Sequence, residues 1–189
     1  MARFRTAFVP TLFGLAFALG LASGARAQTA SFTSHGVHCQ PTKAAGAGKF
    51  DFAEGGIYNV STASYQATCT VDLGLTGPVV IDSIWVDYRD RNASSAAGNF
   101  NCYVFWVNNR SQTEWGTFRR YSCSVSGGCA SDVEPTYSAA TANSLYFASP
   151  FGTGTKSGVF AVGAVCDVPA IYANAASHVI GLEVFVSNP

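Results

Sequence analysis

Apolar and polar residues alternate with a period of two along much of this chain. Phe100, Cys102, Val104 and Trp106 share one face of the stretch 100–107, and Tyr103 and Phe105 share the other. His178, Ile180, Leu182, Val184 and Val186 form a second such row, opposed by Gly181, Glu183 and Phe185. In a third, Ile84, Val86 and Tyr88 oppose Ser83, Trp85 and Asp87. These segments are rich in the β-branched and aromatic residues that suit a pleated, half-buried surface. The predicted strands are Ile57–Val60, Tyr65–Val71, Val79–Tyr88, Phe100–Val107, Trp115–Cys123, Ser144–Ala148, Val159–Asp167 and His178–Val186.

Turn compositions separate them: Gly74 to Pro78, Ala93 to Asn99, Gly127 to Pro135 and Ser149 to Gly158. No stretch carries a capped stripe of helical period, and Ala139–Ala142 and Ala170–Ala176 hold a helical turn at most. Eight strands without crossover helices exclude a parallel α/β fold. They predict an all-β, two-sheet antiparallel sandwich of jelly-roll type.

The first 27 residues break this pattern. Arg3 and Arg5 precede an apolar run from Phe8 to Leu21, and Ala25-Arg26-Ala27 supplies the small-x-small pattern of a cleavage site. Residues 1–27 are therefore predicted to be a signal peptide, its apolar run shorter than the roughly 20 residues of a membrane-spanning helix. A flexible N-terminal lead is expected over 28–49 and a single β-sandwich domain over 50–189. Cleavage leaves 162 residues and removes three arginines, so 8 basic residues face 11 acidic ones, a formal charge of −3. A weakly acidic domain with three lysines is a poor partner for nucleic acid, and nothing later in the chain is apolar for long enough to span a membrane. With 12% charged residues, the surface must be built largely from Ser, Thr, Asn, Gly and Ala. A secreted or periplasmic location follows.

All six cysteines lie beyond the signal segment, and none forms a Cys-x-x-Cys pair, which disfavours a zinc ribbon or thiol oxidoreductase. Six cysteines permit 15 pairings, and sequence alone selects none. Gly127-Gly128 favours the local pair Cys123–Cys129. For the four cysteines at candidate strands, the expectation is Cys39 with Cys69 and Cys102 with Cys166.

Several short motifs recur together: Cys39-Gln-Pro, Gly56-Ile-Tyr-Asn59, Ala67-Thr-Cys69, the run Val86 to Asn92, Asn101-Cys102 and Cys166-Asp-Val-Pro169. In this combination the chain resembles a group of uncharacterised small secreted β-sandwich proteins of proteobacterial and myxobacterial type. The resemblance implies the fold, export and the pairing of four cysteines. It implies no activity, because none of the motifs carries known chemistry.

Direct chemistry is sparse. His35 and His38 stand beside Cys39, but an oxidised cysteine leaves that trio without its thiolate ligand. The run Asp87 to Asn92 lacks the ligand alternation and glycine of a calcium loop, and reads as a strand end where Arg89 and Arg91 neutralise aspartates. There is no Gly-x-Ser-x-Gly elbow, and nothing singles out two of the four glutamates as a glycosidase pair. His178 reads as a packed or rim residue. No catalytic, cofactor-binding or metal residue is assigned, and no cofactor is expected.

Aromatic residues remain. Trp85, Tyr103, Phe105, Trp106 and Trp115 crowd one third of the chain, and alternation prevents all of them from entering one core. Tyr103 and Phe105, opposite Cys102, should leave accessible aromatic surface near Arg119 and Arg120. The expected role is non-enzymatic surface interaction at the cell exterior with a glycan or protein partner. A carbohydrate- or matrix-binding module and a small secreted hydrolase are the alternatives.

Overall fold

The computed structural model describes residues 29–53, 55–90, 100–122, 143–171 and 176–188. The signal segment and the expected Cys123–Cys129 bridge lie outside the described residues.

Twelve strands form two antiparallel sheets, and the described residues contain no α-helix. They are β1 (Thr29–His35), β2 (Gln40–Pro41), β3 (Phe50–Ala53), β4 (Gly56–Asn59), β5 (Tyr65–Asp72), β6 (Pro78–Arg89), β7 (Asn101–Asn108), β8 (Thr113–Tyr121), β9 (Asn143–Ala148), β10 (Lys156–Ser157), β11 (Val159–Val168) and β12 (His178–Ser187). All eight strands predicted from alternation are among them. The four additional ones are short or polar.

A seven-stranded sheet runs β10-β6-β12-β4-β3, with β1 also on β12 and β9 also on β6. The five-stranded sheet runs β2-β5-β11-β7-β8. Their facing sides make one core. Ile84, Val86, Tyr88, Leu182 and Val184 enter it from the first sheet, and Ala67, Cys69, Cys102, Val104, Val162 and Ala164 from the second. Tyr88 stacks on Phe100 within it, ring centroids 4.8 Å apart.

The N-terminal lead is where the structure departs most from the sequence reading. Residues 29–35 are an edge strand rather than a flexible tail, paired with β12 from Thr29↔Ser187 to His35↔Gly181. Its sequence, TASFTSH, is too polar to announce a core strand, and only Phe32 packs against the core. The row His178 to Val186 is also interrupted. A register shift between Val179 and Gly181 turns Val179 into the core and leaves Ile180 half-buried. At that bulge β12 changes partner, from β4 to β1. Gly36 and Gly56 make the handover possible, because a side-chain carbon at either would strike the Val179 backbone.

Both described disulfides lie within the five-stranded sheet. Cys102 and Cys166 are direct cross-strand partners on β7 and β11. Cys39, just before β2, reaches Cys69 on β5. The closed loops span 30 and 64 residues, and each closure contributes about 4 kcal/mol on chain-entropy grounds. Asn59 ties the sheets together from a fully buried position: its amide donates to the carbonyls of Ala63, Val168 and Pro169, and its oxygen accepts from Ser61 N–H. Two motifs far apart in sequence, Gly56 to Asn59 and Cys166 to Pro169, therefore meet at one hydrogen-bonded post.

Candidate functional site

With Cys102, Val104 and Trp106 turned inward, alternation sends Tyr103 and Phe105 to the outer face of the five-stranded sheet. The next strand supplies their neighbours. Arg119 stands opposite Tyr103, and Trp115 opposite Phe105. Strict pairing would put Thr117 opposite Phe105 and Trp115 opposite Val107; two extra residues on β8 shift the register between these pairs. The bulge thus draws Trp115 one pair closer to Tyr103. Gly116 permits it, since a side-chain carbon there would press on Val104, and Thr117 N–H donates to the Pro150 carbonyl at 3.2 Å.

Three rings result in one cluster. The Trp115 centroid lies 5.1 Å from that of Tyr103 and 5.1 Å from that of Phe105, tilted by 51° and 57°. Phe105 lies down against the sheet because β11 presents Gly163 beneath it; a side-chain carbon at Gly163 would run into the Phe105 ring. Phe105 is therefore 8% exposed, whereas Trp115 remains 51% exposed above it. The rigid, buried ring supports the open one.

A polar margin adjoins the rings. The Arg119 guanidinium sits 4.9 Å from the Tyr103 centroid and 3.6 Å from the Asp167 carboxylate. Asp167 comes from β11, outward because Cys166 and Val168 point inward. Beyond it a cavity of about 320 Å³ is lined by Lys43, Ala45, Gly46, Ser64, Tyr65, Gln66 and Asp167. Rings, ion pair and cavity form one continuous surface.

Tyr103, Phe105, Trp115 and Arg119 are thus brought together, and three other aromatic-site candidates are not. Trp106 faces the core at 8% exposure, with the Lys156 ammonium 5.9 Å from its ring and itself paired to Glu114 at 3.0 Å. Arg120 stands opposite Cys102, on the side of β8 away from Arg119. Trp85 lies on the other sheet, 37% exposed against Tyr146 at 4.4 Å. Sequence reading missed Asp167, Gly163, Gly116 and the cavity. A signal for the first existed, because Asp167 must oppose its inward neighbour Cys166. The register shift that places Trp115 had none.

The residues weighed for other chemistry are dispersed. Cys39 is bridged, leaving His35 and His38 without a thiolate beside them. Asp90 is fully buried and accepts hydrogen bonds from Ser122 Oγ at 2.6 Å, Ser177 Oγ at 2.8 Å and Phe100 N–H at 3.3 Å. His178 is 7% exposed and packs against the Tyr58 ring at 4.9 Å. Glu114 and Glu183 stand on different sheets.

No family model matches the chain, and no curated protein matches it. Among solved structures it is similar to a glycoside hydrolase domain, Endo-D from Streptococcus pneumoniae R6, at 10% identity and a TM-score of 0.33. That match covers 84% of this chain and 21% of the other. A second is TmCBM61 in complex with β-1,4-galactotriose, at 7% identity, TM-score 0.30 and 83% coverage of each chain. A third belongs to carbohydrate-binding modules of the β-sandwich superfamily, at 8% identity and TM-score 0.31, covering 85% of this chain and 54% of that one. At these scores the likeness decides nothing about ligand or activity.

Proposed function

We propose that this protein is an exported, non-enzymatic β-sandwich that binds carbohydrate on the outer face of its five-stranded sheet. The observation that carries the reading is the half-exposed Trp115, held by Tyr103 and Phe105 at 5.1 Å each beside the Arg119–Asp167 pair. A flat ring with an electron-rich face suits the apolar C–H face of a pyranose, and adjacent charged groups suit its hydroxyls. Burying a ring that size on binding favours association even when the hydrogen bonds merely replace water. Two disulfides support an oxidising compartment, in keeping with the leader-like first 27 residues.

Binding is favoured over hydrolysis because the side chains a hydrolase needs are apart: Glu114 and Glu183 occupy different sheets and His178 is packed away. Affinity electrophoresis across a panel of soluble polysaccharides tests the reading. Retardation is expected on at least one glycan, lost in Trp115→Ala and kept in Trp85→Ala. Migration unaffected by every glycan, or retardation that survives Trp115→Ala, overturns it.

A further inference from the structure

The cavity beside the rings carries a charge that the ring cluster does not explain. Its lining offers a lysine ammonium, a tyrosine and a serine hydroxyl, a glutamine amide and the Asp167 carboxylate. Asp167 is already engaged by Arg119. Lys43 is exposed, and among the described residues no carboxylate pairs with it. Counting Lys43, Arg119 and Asp167 together, this end of the site is positive by one charge. That stands out in a chain whose residues after position 27 sum to −3 and include only three lysines, of which Lys156 is paired with Glu114.

The site is also elongated. Asp167, at the cavity, and Gly163, beneath Phe105, are four residues apart on β11, or about 13 Å at the rise of a strand. A single sugar does not fill that length, and a chain of sugars laid along the sheet does. The cavity itself is at the small end of ligand pockets, suited to one ring with its substituent.

We infer that the ligand is an anionic polysaccharide, with one sugar stacked on Trp115 and the negative substituent of a neighbouring sugar seated in the cavity at Lys43. The inference rests on the carbohydrate-binding reading and adds the ligand's charge and its direction along the sheet. A uronate carboxylate and a sulfate ester offer the same chemistry to an ammonium group, and the Ser64, Tyr65 and Gln66 side chains complete a polar seat for either. Asp167, held by Arg119, is a positioning residue: it keeps the guanidinium over Tyr103 and closes the cavity wall.

Isothermal titration calorimetry with the full chain separates the possibilities. Three probes are compared: oligogalacturonate, its fully methyl-esterified form, and a sulfated galactan oligosaccharide of the same length. Esterification removes the charge and keeps the rings. At least tenfold tighter binding is expected for one charged probe than for the ester. The affinity gap should shrink as salt is raised. Lys43→Gln should abolish the gap while leaving binding of the ester unchanged, and Trp115→Ala should abolish binding of all three. The charged probe that binds tighter identifies carboxylate or sulfate. Equal affinity for charged and esterified probes, or a gap that persists in Lys43→Gln, overturns the anionic assignment and leaves carbohydrate binding intact. Binding that is unaffected by Trp115→Ala overturns the carbohydrate site itself, and absence of binding by every probe overturns both.

Discussion

Single residues divide sharply into those that build the molecule and those that face outward from it. Trp106 and Trp115 show the division within one hairpin. Both are tryptophans in strands that read alike in sequence, and only parity and one bulge separate a core ring from an exposed one. Their alanine variants should differ accordingly. Trp106→Ala leaves a large void in the core and should cost about 3–5 kcal/mol. Trp115→Ala removes a ring that is half in water and should cost under about 1.5 kcal/mol, since surface and half-buried substitutions away from special features are mild. Urea denaturation followed by tyrosine and tryptophan emission measures both. Equal losses would contradict the assignment of Trp106 to the core.

At the scale of elements, the strands legible in the sequence are those whose two faces differ. Phe100–Val107 and Val79–Tyr88 alternate apolar with polar because one face meets the opposite sheet, and that pattern survives in the primary structure. β1 carries no such contrast. Its hydrogen bonds are made by the backbone to β12, which leaves no trace in side-chain chemistry, so TASFTSH reads as a tail. The bulges at Ile180 and within β8 are likewise backbone events, and they decide which side chains become neighbours. This is why Tyr103, Phe105, Trp115 and Arg119 were legible as candidates while their assembly, and the contribution of Asp167, was not. Loss of β1 should matter more than its composition suggests. Deleting residues 28–35 bares the long edge of β12 and removes the partial burial of Phe32, worth on the order of 1–2 kcal/mol from apolar area alone. A lower denaturation midpoint and concentration-dependent association in sedimentation velocity are expected, because an uncovered strand edge recruits other chains. An unchanged midpoint would show that β1 contributes nothing to the folded state.

For the whole molecule, the covalent reinforcement is one-sided. Both described bridges lie in the sheet that bears the rings, and the larger sheet is held by packing, by Asn59 and by the Asp90 cluster. Two closures of about 4 kcal/mol each amount to much of the roughly 5–15 kcal/mol by which an ordinary domain is stable. Reduction under native conditions should therefore lower the melting temperature by well over 10 °C, given roughly 2–8 °C per kcal/mol for domains between 60 and 250 residues. Differential scanning calorimetry with and without reductant reads this directly, and a shift of only a few degrees would mean that the bridges follow the fold rather than sustain it.

The pairing of Thr29 with Ser187 bears on how the molecule can be attached to something else. Backbone positions facing each other across an antiparallel pair lie about 5 Å apart, a gap that a linker of some four residues closes with ease. The two ends of the described fold can thus be joined into a ring and reopened at another loop without disturbing a strand. Both ends also belong to the seven-stranded sheet, while the tryptophan platform looks out from the five-stranded one. A support, a second domain or a reporter fused at either end therefore grips the protein from behind and leaves its working face toward the solution.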